Sequence, residues 1–131
     1  MADDEKKKIL MVDDDEMHLI TAELFLEKEY EIHKTRSGNE ALEYLLNNKF
    51  VPDIILLDII MPNMDGWEFF KKVKKTDFLK NVPVVFLTSV TKETEKKQAY
   101  TEGVADYITK PFNMVDLRNR IKEVIKGHRI K

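Results

Sequence analysis

Cysteine is absent from all 131 residues. That excludes disulfides and thiolate metal sites, and it fits a reducing cytoplasm. A long apolar run is also missing: the charged start MADDEKKK gives way only to Ile9–Val12, too short for a signal peptide or a membrane span. Neither G-x-G-x-x-G nor G-x-x-x-x-G-K-[ST] occurs, so no phosphate-cradling loop can be named, which counts against a nucleotide-binding α/β protein. His18, His33 and His128 lack metal-ligand spacing and read as ordinary surface or partly buried residues. There is no internal repeat, no linker and no low-complexity stretch.

What is present is an ordinary globular composition, 43% hydrophobic and 35% charged. Its length is one domain's worth, enough for a single sizeable core. The expected unit spans 1–131, with a core over about 8–126 and flexible ends at 1–7 and 127–131. The net charge of −2 hides an asymmetry, because residues 1–66 hold 16 acids against 7 bases and residues 67–131 hold 8 against 15. Most of these charges are solvated, and the polarity makes no case for nucleic-acid binding.

The chain is organised around Ile54–Gly66, IILLDIIMPNMDG. Ile54–Leu57 is apolar without alternation, as in a strand buried on both faces of a parallel sheet, and it runs straight into Asp58. Pro62 and Asp65-Gly66 then supply turn chemistry. Ile9–Val12 is a second such run, ending in Asp13-Asp14-Asp15. Val84–Leu87 is a third, ending in Thr88-Ser89. Tyr30–Arg36 alternates weakly, as an edge strand does, and Ala105–Thr109 is a short strand reaching Lys110-Pro111.

Helices are expected between the strands. Met17, Ile20, Leu24 and Phe25 recur at helical spacing from about Glu16 to Lys28, with Asp14 or Asp15 as cap. Ser37 caps a helix carrying Ala41, Leu42, Leu45 and Leu46 that stops near Asn47-Asn48. Trp67, Phe70 and Val73 mark a third, with Lys71, Lys72, Lys74 and Lys75 on its solvated face. Thr91–Glu102 is the most polar and should be loosely held, with Gly103 just past its end. Met114, Leu117, Ile121, Val124 and Ile125 face the core from a closing helix ended by Gly127. Five strands alternating with five helices make an α/β protein with right-handed parallel crossovers and a doubly covered sheet. Parallel strands share one carboxyl edge, so Asp13-Asp14, Asp58, Thr88-Ser89 and Lys110 are expected in one pocket.

Three carboxylates near one point repel unless a cation sits among them. An all-oxygen set without sulfur or imidazole suits Mg²⁺ or Mn²⁺. The natural client of such a site is a phosphoryl group. A carboxylate can attack phosphorus when metal, ammonium and hydroxyl take up charge on the equatorial oxygens, with Lys110 and Thr88 available as the last two.

With VDD at Val12–Asp14, LLDIIMPNMDG at Leu56–Gly66, LTS at Leu87–Ser89 and DYITKPF at Asp106–Phe112, the chain resembles a two-component response-regulator receiver domain. The likeness covers roughly Lys8 to Lys126. It implies a (βα)5 flavodoxin-like sheet of order 2-1-3-4-5. Asp58 is then the phosphoacceptor, Asp14 and Asp58 bind Mg²⁺ (or Mn²⁺) directly, Asp13 acts through water, and Ile60 lends its backbone carbonyl. Lys110 pairs with the phosphoryl group and Asp58, its bond to Pro111 is cis, and Ser89 fits where the family uses a small residue.

The resemblance also implies a switch, in which Thr88 moves toward the phosphoryl group, Tyr107 turns inward, and the surface of the fourth helix, fifth strand and fifth helix changes. Expected partners are a histidine kinase or histidine phosphotransfer protein and a downstream protein target, with no nucleic acid and no membrane bound by this domain. A phosphorylation-dependent homodimer is weighed through Arg118, Arg120 and Asp106. Ile60 and Val90 are apolar where polar side chains could position an attacking water, which predicts a long-lived phosphoryl group.

Such a domain modifies itself and has no turnover substrate. A phosphatase of the haloacid-dehalogenase type is the competing enzyme, but it places a second Asp two residues after its nucleophile, where this chain has Ile60. A degenerate receiver that binds without phosphorylation is disfavoured by the intact acids, Thr88 and Lys110.

Overall fold

A computed structural model describes residues 5–59, 65–89 and 91–127. Its elements are β1 (Lys7–Val12), α1 (Glu16–Leu26), β2 (Tyr30–Thr35), α2 (Gly38–Asn47), β3 (Ile54–Leu57), α3 (Gly66–Lys75), β4 (Val84–Thr88), α4 (Glu93–Thr101), β5 (Asp106–Thr109) and α5 (Met114–Ile125). The strands form one five-stranded sheet in the order β2-β1-β3-β4-β5, every pairing parallel. This is the doubly wound flavodoxin-like architecture. The turn expected at Pro62, the Ile60 carbonyl, the Val90 side chain and His128 lie outside the described residues, as do most of the expected flexible ends.

The three apolar runs become the central strands because each must bury both faces. Leu10, Val12, Ile55, Leu57, Val84 and Phe86 face one core with α2, α3 and α4. Ile9, Met11, Ile54, Leu56, Val85 and Leu87 face the other with α1 and α5. β1 begins two residues before its apolar run, since Lys7 and Lys8 pair with Tyr30 and Glu31. A backbone ladder needs no apolar side chain at its solvated end.

Capping follows the sequence closely. Asp15 accepts from the Met17 amide, Ser37 from the Glu40 amide, Asp65 from the Glu68 amide, and Asn113 from those of Val115 and Asp116. α4 differs: its N-cap is Lys92, with no side-chain cap, and only Ala99 is buried. It is the least anchored helix, as its polar sequence suggests. Gly103 follows it at φ 102°, a backbone that favours glycine.

Two expectations need correction. The buried face of α1 is Leu19, Ala22 and Leu26, whereas Met17 and Leu24 are 65% and 67% exposed. This helix is apolar on nearly every side, so two overlapping sets fit the helical period and spacing alone cannot choose between them. Lys74 is not merely solvated: its ammonium donates to the Lys80 carbonyl at 3.1 Å and to the Val82 carbonyl at 3.4 Å, tying α3 to the approach to β4. Within the chain, Arg118 lies near Glu29 and over the Phe25 ring, while Arg120 on α5 pairs with Asp106 on β5.

Candidate functional site

The ladder itself delivers the strand-end side chains. Beyond β1 the Asp13 amide donates to the Thr35 carbonyl at 3.1 Å, beyond β3 the Asp58 amide donates to Val12 at 3.0 Å, and beyond β5 the Lys110 amide donates to Thr88 at 2.8 Å. These backbone bonds hold three residues at one rim whatever their side chains do. Asp13, Asp14 and Asp58 each present a carboxylate oxygen, all within 4.8 Å of one another. Asp13 is buried, Asp58 partly buried and Asp14 exposed, so the cluster opens to solvent on the Asp14 side.

Lys110 closes the opposite side. Its ammonium lies 3.1 Å from Asp13 Oδ2 and 3.3 Å from Asp58 Oδ2, with the side chain only 18% exposed. The Lys110–Pro111 bond is cis. Thr88 is fully buried at the end of β4, and Ser89 next to it is exposed. A cleft of about 770 Å³ runs from Asp13, Asp14, Asp58, Ser89 and Lys110 toward an apolar wall that includes Ala22, Phe112 and Leu117. A second cleft, of about 580 Å³, lies at the amino ends of the strands beside Lys7, Asp53 and Lys80, and holds none of these acids. The carboxyl-edge cleft therefore carries the chemistry.

The donor set there is all carboxylate and partly dry. It suits a hard divalent cation of the Mg²⁺ or Mn²⁺ kind, whose charge offsets three crowded acids. Among the described residues, Asp13, Asp14 and Asp58 are the group that could hold one.

Tyr107 is 2% exposed, its ring centroid 6.2 Å from that of Phe86. The ring is thus already inward. Burial, and secondarily the Glu95 charge, push its phenol above the ordinary value. Next to it Asp106 is fully buried; burial holds its carboxyl above the usual range, opposed chiefly by the Arg120 guanidinium. The Tyr100 hydroxyl donates to Asp106 Oδ1 at 3.1 Å, and burial followed by the Asp106 charge pushes that phenol up to about 12.

Two groups escaped the sequence reading. His18 places Nδ1 3.2 Å from Asp13 Oδ2 and 3.1 Å from the Lys110 ammonium, at the acid cluster and not on an idle surface. The signal was its position three residues after the Asp15 cap, which turns it back over the strand ends. Trp67, at the start of α3, donates from Nε1 to Glu95 Oε1 of α4 at 3.0 Å and packs edge-on to Phe86. No local pattern announces a bond between two helices.

Comparison with known proteins points one way. A family model described as the response regulator receiver domain matches residues 9–122. The transcriptional regulatory protein CrdR of Helicobacter pylori is 37% identical over 118 residues, covering 89% of this chain and 54% of CrdR. The chain spans about half the length of the curated relatives it matches. Among solved structures, the chemotaxis protein CheY4 of Vibrio cholerae superposes with a TM-score of 0.83 at 30% identity, covering 92% of this chain and 99% of that one. The phosphorylated cyanobacterial phytochrome response regulator RcpA gives 0.78 at 32% identity, covering 92% and 91%.

Proposed function

From the premise that the chain belongs to the response-regulator receiver family, we propose that it is a switch set by phosphorylation of Asp58. Receiver domains are signalling domains of two-component systems, not turnover enzymes, and they interact with histidine kinases and downstream effectors. The finer reading is that residues 1–131 act as one receiver unit in the cytoplasm. A histidine kinase or phosphotransfer protein supplies the phosphoryl group, and a downstream protein reads the result.

The observation that carries this reading is the Lys110 ammonium, 3.1 Å from Asp13 and 3.3 Å from Asp58, set against carboxylates all within 4.8 Å of each other. An Asp58 oxygen attacks phosphorus of a phosphohistidine. The P–N bond breaks as the P–O bond forms, and the departing imidazole takes its proton from solvent. Lys110, Thr88 and Ser89 hold the equatorial oxygens by donating to them, which stabilises charge as it develops. Asp14, Asp58 and the Ile60 carbonyl would hold Mg²⁺ or Mn²⁺ directly, with Asp13 acting through water. When bound, that cation supplies positive charge to the same oxygens.

The test is intact mass after treatment with a small-molecule phosphodonor. One phosphoryl group should be gained with magnesium present and none after chelation; metal-independent gain, or none at all, would end the reading. Ile60 and Val90 offer the attacking water no hydrogen bond, so the phosphoryl group should be long-lived. Ile60→Asn should speed its decay severalfold, read as loss of the phosphorylated mass with time.

The surface expected to change is that of α4, β5 and α5. Its support is the weak anchoring of α4, which leans on the Trp67–Glu95 bond at 3.0 Å and the Tyr100–Asp106 bond at 3.1 Å. Glu95→Ala should remove about 1 kcal/mol and raise amide exchange over 93–101 roughly fivefold. Emission of Trp67, the single tryptophan, should shift with it. Unchanged exchange in α4 would show that the bond holds nothing.

A further inference from the structure

The Lys110 ammonium makes three contacts: Asp13 Oδ2 at 3.1 Å, Asp58 Oδ2 at 3.3 Å and His18 Nδ1 at 3.1 Å. An ammonium has three protons and accepts nothing, so with the Nδ1 lone pair turned to it all three contacts are donations. We propose that His18 is a positioning residue for Lys110. The inference deepens the phosphoacceptor reading and rests on it.

To accept from Lys110, Nδ1 must present its lone pair, which puts the imidazole proton on Nε2. That nitrogen lies 3.4 Å from Asp15 Oδ2. The other oxygen of Asp15 accepts from the Met17 amide at 2.9 Å, so the carboxylate that caps α1 also lies beside the ring. Nδ1 also lies 3.2 Å from Asp13 Oδ2. A proton on Nδ1 would face the ammonium, whereas a proton on Nε2 leaves the Nδ1 lone pair to accept from Lys110 and turns the N–H to the Asp15 side. The result is a linked set, His18 to Lys110 to Asp58, carried on the first turn of α1.

The set has a purpose that the two acids alone do not serve. Lysine ends in a compact charge on a flexible four-carbon stem. Asp13 and Asp58 draw it inward, but when a phosphoryl group arrives at Asp58 the ammonium must turn toward the new oxygens. An acceptor fixed to a helix keeps it at the site through that exchange. His18 is half-exposed at the mouth of the cleft, so it can bear on the ammonium from the side the donor enters.

The experiment uses the full chain as wild type, His18→Ala and His18→Asn. The phosphorylation rate is measured with acetyl phosphate and magnesium, and the Lys110 ammonium resonance by NMR without donor or metal. His18→Ala should slow phosphorylation about tenfold and lose the ammonium signal to exchange with water. Asn offers a carbonyl oxygen about where Nδ1 lies, and should restore both to near wild type.

An unchanged rate or an unchanged signal in His18→Ala overturns the proposal, as does a loss that Asn fails to restore. Should wild type take up no phosphoryl group, the phosphoacceptor reading falls and the positioning role falls with it. The ammonium signal would then still report whether the His18–Lys110 contact exists, so the two failures are distinguishable.

Discussion

Asp58→Asn should abolish phosphoryl uptake altogether. The backbone bond from the residue 58 amide to Val12 holds the position irrespective of its side chain, so the amide is delivered to the same rim. An amide oxygen lacks the charge and basicity to form a stable ester with phosphorus, and the amide nitrogen's lone pair is delocalised. Mass spectrometry after donor treatment should therefore show no gain in the variant under conditions that convert the wild type.

Two further readouts follow from the same crowding of charge. Three carboxylates within 4.8 Å repel one another. Removing one charge should raise metal-free stability by about 1 kcal/mol while lowering magnesium affinity by tenfold or so. Thermal melts with and without magnesium would read both, and the metal-induced rise in Tm should shrink in the variant. Phosphorylation of Asp58→Asn to the wild-type extent would move the acceptor elsewhere and end the mechanism proposed for this cleft.

Legibility in the sequence followed the physics of each element. β1, β3 and β4 were readable because strands buried on both faces need uninterrupted apolar runs, and bringing the polar strand ends together needed only the rule that parallel strands share an edge. That rule placed Asp14 and Asp58, and Lys110 at the end of β5, on one rim from chain position alone. The face of α1 was not readable, since leucines, isoleucine, methionine and phenylalanine surround it and only its packing against the sheet and α5 decides which are buried. His18 was missed because its partner Lys110 is 92 residues away. Pairwise contacts between distant elements leave no periodic trace, and the Trp67–Glu95 bond belongs to the same class.

Gly66→Ala should be strongly destabilising, although helix propensity predicts the opposite sign. Gly66 opens α3. A solvated glycine inside a helix gains up to about 1 kcal/mol on replacement by alanine. Here the added Cβ would lie 2.3 Å from Ile59 Cα, 2.6 Å from its Cγ2 and 2.8 Å from its Cβ, while the Gly66 amide donates to the Ile59 carbonyl at 2.8 Å. The nearest clash is with backbone, so no rotamer change relieves it, and either the start of α3 or the residue after Asp58 must shift.

Forced overpacking of this kind costs about 3 kcal/mol, which outweighs the propensity gain and should lower Tm by roughly 10 °C. Because Ile59 adjoins Asp58, the folded fraction should also take up phosphate more slowly, a loss that stability alone would not produce. Trimming the neighbour separates clash from crowding: Ile59→Ala removes Cγ2 but leaves Cα in place, so the double variant should stay close to Gly66→Ala. A Gly66→Ala protein as stable as wild type would show that α3 does not close on Ile59 as tightly as this contact requires.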